Sequence, residues 1–129
     1  MTADDFREIA LDLEGAVESA HMGHPDFRVN GRIFATLQAN LESGAVMLAP
    51  EEQQELLRTY PKTFTPASGA WGRQGSTMVR LAGAEPAAVR GAILMAWQRA
   101  LTLPARKPAA RKSASRKSTA RKTTARKQR

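Results

Sequence analysis

No cysteine occurs among the 129 residues of this chain, which excludes disulfides, thiolate metal sites and thiol catalysis and fits a reducing compartment. Long apolar runs are missing as well. None approaches the roughly 18 residues that a membrane-spanning helix needs, and the N-terminus opens on Asp4 and Asp5 where a secretory signal would carry cations. The expectation is a soluble, cytoplasmic protein with no membrane span. Aromatic residues make up only 5% of the chain, and none lies beyond Trp97. After Pro104 there is neither an acidic residue nor a large apolar one.

That last absence divides the sequence. The net charge of +8 averages two segments of opposite sign. Residues 104–129 carry Arg106, Lys107, Arg111, Lys112, Arg116, Lys117, Arg121, Lys122, Arg126, Lys127 and Arg129, eleven of the twenty basic residues, for a net of +11. Residues 1–103 hold the other nine against all twelve acids, a net of −3. Such asymmetry points to nucleic acid or another acidic partner. The front segment is long enough for one core and not for two, so the expected organisation is a folded domain over 1–103 and a basic tail over 104–129.

Within the domain, Phe6, Ile9, Ala10 and Leu13 recur at helical spacing behind a cap at Thr2 or Asp4. Gly15 interrupts this helix, so Val17 falls to the next strand or turn. Asn30-Gly31 stands between Phe27-Arg28-Val29 and Arg32 to Leu37, the pattern of a tight hairpin, because both central residues of a type I′ turn need positive φ. Gly44 to Ala49 fits a buried strand beside Arg32 to Leu37. Pro50-Glu51-Glu52 has the chemistry of a helix first turn, and that helix should run to about Tyr60, before Pro61. A loop is expected from Pro66 to Gly75, then a strand over Thr77 to Leu81. A last helix opens at Glu85-Pro86, with Val89, Ile93, Ala96, Trp97 and Ala100 on one face. The order implies an α+β domain, an antiparallel or mixed sheet covered by helices.

The tail repeats an Arg-Lys pair every five residues from Arg106. Five residues of α-helix advance about 140° beyond a full turn, so the pairs would wind around a helix and form no basic face. With nothing apolar to offset the entropy of ordering, the segment is expected to be disordered. It is suited to tracking phosphates without reading bases, since it has no aromatic to stack and no scaffold to aim an arginine at a base edge. A merely solvating tail is the plainer alternative, and the regular repeat argues against it.

Chemistry-bearing groups in the domain are few. Arg28 and Arg32 lie two residues either side of Asn30, and strand alternation is expected to put both on one exposed face. With Arg73, Lys62, Arg80 and Trp71 they would form a phosphate-contacting patch. The competing reading, favoured by the domain's net negative charge, pairs the arginines with nearby acids and packs Trp71 into the core or its loop. His21 and His24 lack a clear third ligand beyond Asp26 or Glu18, so no metal site is expected. No phosphate loop, Ser/His/Asp set or carboxylate pair is present; neither enzymatic activity nor a cofactor is expected.

The run Gly23-His24-Pro25-Asp26-Phe27-Arg28-Val29-Asn30-Gly31-Arg32-Ile33-Phe34-Ala35-Thr36-Leu37, followed by Gly69-Ala70-Trp71 and Thr77 to Leu81, resembles the MmcQ/YjbR family of small bacterial proteins. The resemblance spans about residues 4–103 and stops before the tail, whose composition is similar to the basic extensions of histones. Arg32 stands where the family usually has lysine. The resemblance implies an α+β fold similar to a double-wing domain, a DNA-binding role, and no catalytic residues. The first expectation is therefore a non-enzymatic, nucleoid-associated DNA-binding protein, with DNA ranked ahead of RNA. The second is a protein- or ligand-binding module that the tail tethers to nucleoid, RNA or another anionic surface.

Overall fold

The computed structural model describes residues 1–104. They form an α+β domain whose chain runs α1 (Ala3–Leu11), β1 (Val17–His21), β2 (His24–Val29), β3 (Arg32–Leu37), β4 (Ser43–Met47), α2 (Pro50–Thr59), β5 (Phe64–Pro66), α3 (Gly69–Arg73), β6 (Ser76–Arg80) and α4 (Pro86–Thr102). The expected disorder of the tail lies outside the described residues.

Local chemistry sets the helix starts. Thr2 Oγ1 accepts from the Asp5 amide and Asp5 Oδ2 accepts from the Thr2 amide, a capping box that closes α1. At α2 the Glu52 carboxylate accepts from the Ala49 amide while Pro50 fills a position whose N–H would have no partner. Pro86 does the same for α4.

The six strands form one antiparallel sheet in the order β1-β2-β3-β4-β6-β5. Two hairpins build its first half. Asn30 and Gly31 both take positive φ (59° and 74°) between β2 and β3, as the sequence implies. Met22 and Gly23 repeat the arrangement between β1 and β2 (51° and 80°), which brings His21 opposite His24. The expected pairing of the Gly44 segment with β3 is present.

Paired residues share a face of the sheet. Phe27, Val29, Leu37, Val46, Val79 and Phe64 line the face that joins α1, α2 and α4 in one core, with Phe6, Leu56, Val89, Ile93 and Ala96. Alanines at 88, 92, 96 and 100 are buried and let α4 lie close to the sheet. Four phenylalanines, at 6, 27, 34 and 64, are fully buried or nearly so, each worth about 2–3 kcal/mol of apolar transfer. The opposite face bears Val17, Ser19, His21, Asp26, Arg28, Ile33, Ala45, Met47 and Met78; Ala45 and Asp26 are buried, but none of these joins the apolar cluster on the helix side. We call it the open face.

Two expectations are corrected. The segment from Pro66 to Gly75 is not all loop: it contains α3, capped at its end by Gln74, whose amide reaches the Ala70 carbonyl. Trp71, on α3, is 72% exposed and so neither core nor packed away. Trp97, expected on the apolar face of α4, packs half-buried against the core there, and its indole Nε1 donates to the Glu14 carbonyl at 2.9 Å. That bond ties α4 to the link between α1 and β1.

Candidate nucleic-acid interface

Of the residues proposed from sequence to contact phosphate, Arg28, Arg32 and Arg73 fall within the described residues and the eleven tail cations lie outside them. The domain arginines do not converge. A two-residue turn makes Val29 and Arg32 the first cross-strand pair, so Arg28 is matched by Ile33. Arg32 therefore shares the core side with Val29 and reaches the end of α4, where its Nε donates to the Pro104 carbonyl at 2.7 Å. Counting residues symmetrically from Asn30 missed this, because the turn's centre falls between Asn30 and Gly31. Arg28 points to the open face. Arg73 sits at the exposed end of α3, beside β6 and two strands removed from β3 in sheet order. Arg80, on β6 opposite Ser43, shares the open face with Arg28. Lys62 is exposed ahead of β5.

The structure instead assembles a cluster around Asp26. Positions 26 and 28 of β2 face the same way, and β1 runs alongside with Ser19 opposite Asp26. The Asp26 carboxylate is fully buried. It accepts from Arg28 Nε at 2.8 Å on Oδ1, from Arg28 Nη2 at 3.0 Å on Oδ2, and lies 2.7 Å from His21 Nδ1 through the same Oδ2. Burial by itself would raise the Asp26 pKa, but the hydrogen bonds and charges of Arg28 and His21 outweigh it and hold the carboxyl below its ordinary value. Asp26 in turn holds the Arg28 guanidinium further toward its charged form.

His24 stands beside this group, its ring centroid 5.8 Å from that of His21. Asp26 is committed to Arg28 and His21, and Glu18, the other acid weighed as a metal partner, pairs with Arg7 at 3.0 Å. Among the described residues no group of three or more His, Cys, Asp or Glu side chains is placed to hold a metal ion.

The model of the YjbR family matches residues 11–99, every strand of the sheet and most of α4. The chain belongs to the YjbR family. Its YjbR region contains the whole Asp26 cluster and ends before the basic segment, which is an addition to the matched region. A crystal structure of a Deinococcus radiodurans protein of the DUF419 domain family superposes on this YjbR domain with a TM-score of 0.67. It covers 78% of this chain and 79% of that one at 18% identity, a likeness of fold. No curated protein matches the chain. No helix among the described residues is long and apolar enough to cross a membrane.

Proposed function

We propose that this YjbR protein is a non-enzymatic, nucleoid-associated DNA-binding protein of the cytoplasm. Its C-terminal segment supplies sequence-independent affinity for the phosphate backbone. The observation that carries this reading is the segregation of charge: +11 over residues 104–129 with no acid, against −3 over residues 1–103. A domain of net negative charge is a poor polyanion binder by itself, whereas a segment with two cations every five residues neutralises phosphates along any sequence and releases their counterions. Arg28 and Arg80 on the open face are the domain groups best placed to add contacts.

The acidic domain and the exposed indole of Trp71 favour a second reading, in which the domain recognises a protein partner while the basic segment holds it on nucleic acid. Aromatic side chains are enriched where proteins meet. Gel shifts of the full chain, of residues 1–103 and of residues 104–129, each with duplex DNA and with RNA, separate the two. Binding by the full chain and by 104–129 supports the DNA reading. If 1–103 contributes nothing to affinity or site size, the domain's work lies with a protein. Absence of binding by the full chain would dismiss both.

A further inference from the structure

Arg28 has five N–H donors in a planar fork, and Asp26 occupies only two of them, through Nε and Nη2. The three remaining donors, including one on each Nη, have no partner among the described residues. His21 is in the same position: Nδ1 is engaged with Asp26, and Nε2 has no partner among the described residues. Both side chains reach solvent, His21 at 41% and Arg28 at 32% of their side-chain surface. Both are also held by one fully buried carboxylate, so neither has to give up much freedom to bind. Asp26 is moreover the only acid among the strand positions that face the open side, although the domain as a whole is acidic.

We propose that Arg28 and His21, anchored by Asp26, form a phosphate-binding site on the open face of the sheet. The free Nη edge of the Arg28 guanidinium offers two parallel donors, which match two phosphate oxygens. Protonated His21 would give Nε2–H to a third oxygen and bring the net charge of the Asp26–Arg28–His21 group to +1. His24, across the β1–β2 turn, flanks the site, and the Ser19 hydroxyl lies on the same face two residues before His21. The ligand chemistry is a phosphate group, from a nucleic-acid backbone or from a free phosphate compound. The choice of DNA as the natural source rests on the function proposed above; the site itself does not.

Two histidines occur in the chain, so the imidazole proton signals of the full-length protein report the site directly, His24→Gln assigning them. Inorganic phosphate should shift the His21 signals saturably, while sodium chloride at matched ionic strength should not. In His21→Asn the phosphate response, followed at His24, should weaken about ten-fold, the loss of one charge-assisted hydrogen bond. Because His21 is exposed, this variant should keep its fold, and the wild-type titration decides even if it does not. A short DNA duplex that shifts the same signals makes the backbone the source. Shifts with phosphate and none with DNA keep the site and assign it to a free phosphate compound. No His21 shift with phosphate, or an equal shift with chloride, overturns the proposal. Failure of the polyanion reading would appear separately, as loss of salt-dependent DNA affinity.

Discussion

At the scale of single residues, Asp26 is the most consequential side chain outside the apolar core. A buried carboxylate without partners would be costly, and its three hydrogen bonds to Arg28 and His21 make its burial tolerable. Asp26→Ala should therefore destabilise the domain by about 2–4 kcal/mol in urea unfolding, somewhat less than a fully buried pair because Arg28 keeps access to water. The same group sets an acid dependence. Since the folded-state pKa of Asp26 lies below its unfolded value, its contribution is fully present above the unfolded value of about 3.9 and is lost as pH falls through the folded one. Urea unfolding followed from pH 6 down to pH 2 should show a loss of stability below about pH 4 that is smaller in Asp26→Asn. Gly75 matters for another reason. Its φ is +114°, and an added Cβ would come within 1.9 Å of the Leu48 carbonyl oxygen, which itself belongs to the backbone. Gly75→Ala should lower the urea midpoint by the equivalent of about 2 kcal/mol or more.

At the scale of elements, the segments whose sequences carry explicit start or turn chemistry are those where reading and structure agree. Thr2 with Asp5, Asn30-Gly31, Pro50-Glu51-Glu52 and Glu85-Pro86 each mark an element that is present. For β1 the sequence leaves strand or turn open at Val17, because Val17-Glu18-Ser19-Ala20-His21 is an edge strand with every residue exposed, so no apolar alternation betrays it. β5 and α3 escaped because three and five residues are too short for any period to register. Without the pairing of β1 with β2 the candidate site was not legible. The spacing of Asp26 and Arg28 on one strand was legible, but His21 joins them only because β1 pairs with β2. The hairpin that was legible can be tested at Gly31, where φ is +74°: Gly31→Val forces a β-branched residue into the left-handed region and should cost about 1–2 kcal/mol in urea unfolding. Trp97→Phe keeps an aromatic ring but removes the pyrrole half of the indole and with it the bond to the Glu14 carbonyl, with an expected loss of about 1 kcal/mol or more.

At the scale of the whole molecule, the protein joins an acidic YjbR domain to a uniformly basic segment, and the function proposed above divides the work between them. The domain has its own sheet, core and helix layer. On that proposal the five-residue repeat has nothing to select one base over another, and any selectivity would fall to the domain, whose open face carries Arg28, His21 and Arg80. In the proposed function electrostatic contact with phosphates dominates the affinity. The most direct test is the affinity of the full-length protein for a duplex, measured by fluorescence anisotropy over a range of sodium chloride concentrations. With about half of the eleven basic side chains engaged, log K should fall against log salt with a slope of about −5, and unrelated duplex sequences should give superimposable lines. A slope near zero would rule out phosphate contacts as the source of the affinity.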